Sequence, residues 1–254
     1  QHPSTKTPYR TSCSLCADGW IGHDCSVAST ELLAGRQPFA AVDGYGHFVT
    51  VDGAAFNYYG SGEFLLFDSE AKNVKIHVRQ TSCGGGGNTF CVTAASISIG
   101  SATCVVRAPF EDDQSIVVWS KDKLVGVGSQ GQVEAFTVAE DYVFERVGLN
   151  EYSVTSADTQ ISMVLRVYGR SLSVRILVPT ELCQVASGML GACDGTPTND
   201  FVFKESGEFL VDVTQASAAT TNLTQVNIHN EFVPFWSVSR EKTPFTVVYN
   251  FAGF

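Results

Sequence analysis

A polar loop late in the chain carries the residue types best suited to holding a metal ion. It spans Gly188–Phe203 and lies between two runs of alternating apolar residues. Calcium prefers roughly 6–8 oxygen ligands at about 2.3–2.6 Å in a flexible shell. The loop predicts either a calcium site or a polar turn between strands, since the same residue types also dominate turns. Its oxygen-bearing side chains are those of Asp194, Thr196, Thr198, Asn199 and Asp200.

Three stretches, in order along the chain, resemble the von Willebrand factor type D domain family. Gly44–Leu66 is similar to the family's opening pattern GDPHxxTFDGxxYxFxGxGEYxLL, and Gly188–Phe201 is similar to GLxGxxxGxPxNDF. The tail Phe232–Phe245 resembles that of mucin-type and sushi-domain-type members. The resemblance covers roughly Ala40–Phe245. It implies an all-β fold, a two-sheet antiparallel sandwich, for a domain predicted over residues 30–254.

The resemblance also implies a set of calcium ligands, with two departures. Many members bind calcium through the Asp of the opening G-D-P-H and through Asn and Asp residues of a late loop, which corresponds here to the polar loop described above. Tyr45 stands in the place of that Asp here, and Ala192 replaces the first Asn of the loop. With two ligands lost, we expect calcium binding to be weak or absent unless main-chain carbonyls and water complete the shell. Any bound ion is expected to be held by Asp194, Asn199 and Asp200, with Asp43 reaching it in place of the lost opening ligand.

The departures from the family pattern also bear on covalent chemistry. Some mucin-like members cleave themselves at the Asp-Pro bond of the opening motif, but Gly46 occupies the proline position here, so no cleavage is expected. Some multimerising members carry C-G-L-C in the late loop, whereas Ser187 and Leu190 stand at those positions. A structural disulfide between Cys183 and Cys193 is expected instead of disulfide exchange.

Composition and charge limit the classes of partner. The 254 residues include 16 Lys and Arg against 26 Asp and Glu, for a formal net charge of −10. An acidic chain without a basic run is not expected to bind nucleic acid or an anionic membrane. No apolar run reaches about 18 residues, so no membrane span is predicted. Because the chain begins with Gln1 and shows no signal-peptide pattern, we expect a mature chain or a piece of a larger protein.

The cysteines indicate an oxidising compartment. A zinc site would need a second close pair of Cys or His residues after Cys13-x-x-Cys16, and none follows. Disulfides are therefore predicted, and with them a secreted or cell-surface protein. Spacing does not decide the partners of Cys83, Cys91 and Cys104, which are also expected in disulfides. A sequon at Asn222 is compatible with N-glycosylation outside the cell.

The N-terminal part has its own organisation. Residues 1–12 are polar and aperiodic, which predicts a linker or an extended tail. Cys13–Cys25 resembles the C-terminal half of an EGF-like module, with a Gly-aromatic-x-Gly turn between its last two cysteines. The predicted remnant covers residues 13–29 and is closed by a Cys16–Cys25 bridge. Cys13 must then pair elsewhere, or its partner belongs to a missing part of the module.

Short stretches of period-two alternation punctuated by glycine predict half-buried antiparallel strands through most of the chain. The clearest is the hairpin Ile161–Val178, in which Leu165 and Ile176 are predicted to face inwards. Arg166 and Arg175 then point to solvent. The pattern predicts an all-β domain whose turns must position the late loop.

Catalytic patterns are missing from the sequence. Neither G-x-S-x-G nor H-E-x-x-H occurs, and the carboxylates are scattered. We therefore expect a non-enzymatic structural or adhesive module of a large extracellular glycoprotein, such as matrix, mucus, a surface coat or a filament. It would pack against other domains of the same protein or against copies of itself. The alternative is a glycan- or lipid-binding module using Tyr58, Tyr59 or Trp119; a secreted hydrolase is least favoured.

Overall fold

The computed structural model describes two compact units, residues 1–36 and 37–254. In the first unit only β1 (Trp20–Ile21) and β2 (Val27–Ala28) are described, and they form an antiparallel pair. The described residues of the chain are 20–21, 27–28, 39–83, 89–109, 116–120, 123–128, 136–139, 142–148, 150–156, 158–183, 186–201 and 228–245.

Strands make up most of the described second unit, and its helical segments are short. Across the described part of the chain, no helix is long and apolar enough to cross a membrane. The strands are β3 (Phe39–Val42), β4 (His47–Val49), β5 (Ala55–Asn57), β6 (Gly62–Ser69), β7 (Val74–Ser82), β8 (Phe90–Ile99), β9 (Ala102–Arg107), β10 (Ile116–Ser120), β11 (Lys123–Gly128), β12 (Phe136–Ala139), β13 (Tyr142–Gly148), β14 (Glu151–Ser156), β15 (Ser162–Tyr168), β16 (Ser171–Leu177) and β17 (Ala186–Ser187). The helical segments are 3-10 turns at Glu70–Lys72 and Pro197–Asn199, α1 (Thr180–Cys183), a π-helical turn at Ile228–Phe232, and α2 (Val233–Phe235).

These strands form two antiparallel sheets around one core. One sheet has the order β11-β10-β9-β8-β7-β6-β17, and the other has the order β12-β13-β14-β15-β16-β3-β4-β5. Most neighbours are consecutive in sequence, because short turns join them as hairpins. A single core cluster contains buried side chains from both sheets, including Phe48, Phe64, Phe67, Phe144 and Ile176. The predicted all-β, two-sheet architecture is confirmed.

The hairpin β15–β16 shows how the period-two pattern determines the faces. Leu165 and Ile176 are fully buried, as the sequence predicts. Arg166 and Arg175 are exposed on the opposite face, and the Arg175 guanidinium lies 5.1 Å from the ring centroid of Phe39. The two arginines therefore belong to a solvated sheet face.

The C-terminal segment covers the edge of β6. The Leu65 amide donates to the Trp236 carbonyl at 3.0 Å, and the Val238 amide donates to the Glu63 carbonyl at 2.8 Å. A bridge between Phe64 and Ser237 continues the pairing. Phe232, Trp236 and Phe245 are buried, whereas Phe235 is 38% exposed. The segment satisfies backbone groups that would otherwise form an open edge.

Arg79 fixes the end of this segment. Its Nη2 lies 3.0 Å from Glu63 Oε1 and donates to the Phe245 carbonyl at 3.2 Å. The guanidinium also lies over the Phe245 ring, 4.8 Å from the centroid. Phe245 is fully buried in a second, small cluster with Ala94, Val105 and Val117.

The cysteines require one correction. Cys83 and Cys91 form a disulfide where β7 leads into β8. Cys104, expected in a disulfide, is a free thiol instead. Its side chain points into the core from β9 and is fully buried, and this burial raises the pKa of the thiol to about 12. Cys104 therefore packs as a small apolar side chain.

The buried anchor of the C-terminal segment can be tested by Phe245→Ala. We expect a loss of about 3 kcal/mol in the free energy of unfolding, because the substitution leaves a cavity beneath Arg79. The matched control is Phe235→Ala, which removes a partly exposed ring and should cost less than about 1 kcal/mol. Urea unfolding monitored by far-UV circular dichroism measures both. Equal losses for the two variants would contradict this account of the segment.

Candidate functional site

The chain enters the late loop, residues 191–200, along the edge of β6. After β17, the Met189 amide donates to the Leu65 carbonyl and the Leu190 amide to the Leu66 carbonyl, each at 3.0 Å. Gly188 has a φ of 131°, and a Cβ there would collide with the Leu66 carbonyl. Glycine therefore allows the close approach that aims the late loop towards the turn between β4 and β5.

Asp200 joins the late loop to that turn. Its side chain is 1% exposed, its Oδ1 accepts a hydrogen bond from the Ala192 amide at 3.1 Å, and its Oδ2 accepts one from Thr50 Oγ1. Thr50 Oγ1 accepts in turn from the Ala54 amide at 2.8 Å. Gly191 has a φ of 83°, and a Cβ there would overlap the Asp200 carboxylate. The loop can close only because residue 191 is glycine.

Asp52 makes a second connection from the same turn. Its Oδ1 accepts a hydrogen bond from the Gly195 amide at 3.0 Å. Its Oδ2 accepts from the Asp194 amide at 3.0 Å and from the Thr196 amide at 3.2 Å. Desolvation by burial is the largest influence on the pKa of Asp52 and raises it, although these amides act in the opposite direction. One carboxylate thus accepts hydrogen bonds from three consecutive backbone N–H groups.

The late loop also closes on itself. Asp194 Oδ1 accepts from the Thr196 amide at 2.9 Å, and Asp194 Oδ2 accepts from Asn199 Nδ2 at 2.7 Å. A disulfide joins Cys183, at the end of α1, to Cys193. The Asx-type bond of Asp194 and the disulfide both restrict the loop, and the two cysteines also pack in the core cluster.

A second cluster of polar and aromatic side chains lies around the turn between β3 and β4. The Tyr59 ring centroid lies 5.8 Å from that of His47, edge-on, and 6.4 Å from that of His229. The Tyr58 ring lies 5.0 Å from His229 and is only partly exposed. Tyr45 and Tyr59 are 48% and 51% exposed. We refer to these residues as the tyrosine–histidine surface: Tyr45, His47, Tyr58, Tyr59 and His229.

Hydrogen bonds order the tyrosine–histidine surface. Asp43 Oδ1 accepts from the Tyr45 amide at 2.9 Å, which holds the turn. His47 Nδ1 lies 2.6 Å from Asn57 Oδ1, on the neighbouring strand. Burial raises the pKa of the Tyr59 hydroxyl, and the nearby Asp43 carboxylate raises it further. Hydrogen bonds thus hold the backbone at Tyr45 and the His47 ring that packs against Tyr59.

Of the residues expected to bind calcium, Asp194, Asn199 and Asp200 share the late loop. Asp43 lies in the turn between β3 and β4, where its carboxylate bonds to its own turn. Residues 44–66, which resemble the family's opening pattern, do contribute an acidic contact to the late loop. That residue is Asp52, which the sequence did not lead us to expect. Its one trace in the sequence is the Val-Asp-Gly turn at residues 51–53, where a polar residue interrupts the strand pattern, and many turns share this feature.

The sequence model of the von Willebrand factor type D domain matches residues 40–207, more than half of the chain. The chain belongs to this family. A relative of this type D domain is the human Sushi domain-containing protein 2, with 24% identity over 179 residues. The match covers 67% of this chain and 21% of that protein, so the chain spans about a fifth of the relative's length.

The late loop of this type D domain, as arranged, does not fit a calcium ion. Both oxygens of Asp52, Asp194 and Asp200 already accept hydrogen bonds from protein donors. Ala192 offers no side-chain oxygen. Within the described ranges, no group of three or more His, Cys, Asp or Glu side chains is placed to hold a metal ion.

Several sequence predictions fall on residues that the structure does not describe. These are the EGF-like remnant with its cysteines and the glycosylation site, and they stay predictions. The residues concerned are Cys13, Cys16, Cys25 and Asn222.

Asp200 should make the stability of the type D domain depend on pH. Burial raises its pKa to about 7, with smaller contributions from the Asp52 and Asp194 carboxylates. Between about pH 4 and 7 the folded chain keeps a proton that the unfolded chain releases. The free energy of unfolding should therefore fall as pH rises across this range, by at most about 4 kcal/mol.

Urea unfolding at a series of pH values checks this expectation. Asp200→Asn should remove this part of the pH dependence, so its stability relative to the unsubstituted chain should rise with pH. Asp158→Asn is the matched control, because Asp158 lies exposed in the turn between β14 and β15. Parallel pH curves for the chain and for Asp200→Asn would contradict the shifted titration of Asp200.

Proposed function

We propose that this type D domain is a non-enzymatic module of a larger extracellular protein, with a structural or adhesive role. It acts by packing against other domains of the same protein or against copies of itself. Family membership supports a modular role, and the chain aligns with only 21% of a relative that is named for its sushi domain. The two disulfides of the described residues support an oxidising location, secreted or at the cell surface.

The tyrosine–histidine surface is the observation that carries this proposal. Tyr45 and Tyr59 expose about half of their area, yet the Tyr59 ring is held edge-on by His47 and lies beside His229. Tyrosine is enriched at binding hot spots because its ring buries a large area at low entropic cost while its hydroxyl keeps a polar contact. An ordered, half-exposed tyrosine pair therefore supports a contact surface for another protein domain.

A photo-crosslinking experiment tests the proposed packing. A benzoylphenylalanine residue is placed at Tyr59 in the full protein secreted from cells, and the crosslinked peptides are sequenced by mass spectrometry. We expect peptides from other domains of the same protein or from a second copy. The control position is Val143, which is 41% exposed on β13.

The binding energy of the same surface can be measured with Tyr45→Ser and Tyr59→Ser together. The double substitution should weaken the domain contact, measured by sedimentation velocity on the full protein, at least about tenfold, because a buried tyrosine hot spot contributes about 2 kcal/mol or more. Val143→Ser should leave it unchanged. Crosslinks at Tyr59 that do not exceed those at Val143, together with unchanged association, would reject packing through this surface.

A glycan-binding module is the second candidate, favoured by the polar rim of the same surface. Asn57 and Asp43 lie beside the exposed rings and could bond to sugar hydroxyls while a sugar ring stacks on Tyr59. A glycan array probed with the chain should then show binding that Tyr59→Ser abolishes. An array without signal removes this candidate and leaves the protein-packing proposal intact.

A further inference from the structure

We propose that the Asp52 carboxylate organises the late loop in place of a metal ion, so that this type D domain folds and stays closed without calcium. The resemblance to calcium-binding members predicts a calcium site at this loop, weakened by the loss of two ligands at Tyr45 and Ala192. The geometry of the late loop is the reason for the disagreement, and it concerns residues of both the loop and the turn between β4 and β5.

The first argument is the direction of the backbone N–H groups inside the loop. The amides of Asp194, Gly195 and Thr196 converge on the two oxygens of Asp52, at 3.0, 3.0 and 3.2 Å. Consecutive backbone N–H groups that face one point form a concave site for an anion. A cation could not take the place of this carboxylate, because it would meet the positive ends of three N–H dipoles.

The remaining carboxylates are the second argument. A carboxylate that binds calcium must be ionised and must turn an oxygen to the ion. Both oxygens of Asp194 accept hydrogen bonds from the loop itself, at 2.9 and 2.7 Å, so they are turned towards these donors. Asp200 is 1% exposed, and its oxygens are taken by Thr50 and by the Ala192 amide.

The closure of the loop by protein groups is the third argument. The Cys183–Cys193 disulfide fixes one end of the loop, and the Met189 and Leu190 amides bond to β6 just before it. Asp200 fixes the other end against Thr50. An ion is usually required where a loop lacks such connections. Here both ends of the loop and the amides of residues 194–196 already have partners within the protein, although the buried Asn199 Oδ1 accepts no hydrogen bond.

Thermal unfolding with and without calcium tests the proposal on the chain as it exists. The comparison uses about 10 mM calcium against a chelator, well above the roughly 0.1–1 mM dissociation constants of extracellular calcium modules. We expect the unfolding temperature to agree within about 1 °C, because a ligand that does not bind cannot stabilise. A rise of several degrees with calcium would overturn the proposal.

Asp52→Asn separates the two roles of this side chain. If the carboxylate holds the amides, the variant should unfold at a lower temperature than the unsubstituted chain, by the same amount with calcium and with chelator. If Asp52 is instead a calcium ligand, the variant should lose a calcium-dependent rise that the unsubstituted chain shows. Asp158→Asn, which changes an exposed carboxylate of another turn, is the matched control and should unfold like the unsubstituted chain.

Hydrogen exchange of the loop amides gives a readout that does not need a folded variant. In chelator, the amides of residues 194–196 in the unsubstituted chain should exchange slowly, because Asp52 occupies them. Where Asp52→Asn folds, the same amides should exchange at least about tenfold faster. Unprotected amides in chelator that become protected on addition of calcium would show that the ion, not Asp52, closes the loop.

Discussion

Two carboxylates, Asp52 and Asp200, hold together parts of the chain that lie far apart in sequence. Asp200 bonds to Thr50, 150 residues away, and Asp52 bonds to the Gly195 amide, 143 residues away. A buried or half-buried carboxylate is costly unless donors surround it, so each carboxylate requires the partner segment to be in place. The turn between β4 and β5 and the late loop are therefore expected to order together, as one unit.

The edge of β6 is also covered by segments that lie far from it in sequence. It receives the strand β17 and the Met189–Leu190 amides near one end, and the segment Trp236–Val238 near the other. An open edge can pair with strands of other chains, so this coverage protects the domain from unwanted strand pairing. The ion pair of Arg79 and Glu63 then anchors the covering segment. Tyr45 and Tyr59 of the tyrosine–histidine surface, by contrast, leave about half of their side-chain area exposed.

Much of the fold followed from local patterns. The hairpin β15–β16 was predictable because alternation has the same period as the pleat, so Leu165 and Arg166 had to lie on opposite faces. The late loop was predictable because its glycines and acidic residues are dense and match a family pattern. Asp52 was not predictable as its partner, since a lone Asp in a Val-Asp-Gly turn looks like many other turns. The prediction of a disulfide at Cys104 was wrong for a similar reason. The spacing of cysteines in the sequence does not tell which face of a strand each one occupies.

By itself, the sequence determined the fold class, the family and the position of the late loop. These properties depend on periodicity, on turn residues and on motifs, all of which are local. Only the tertiary structure decided which carboxylate meets the loop, because that depends on how two turns separated by more than a hundred residues pack together. The tertiary structure also decided the polarity of the loop interior, since the directions of backbone N–H groups follow from the path of the chain and leave no trace in residue types.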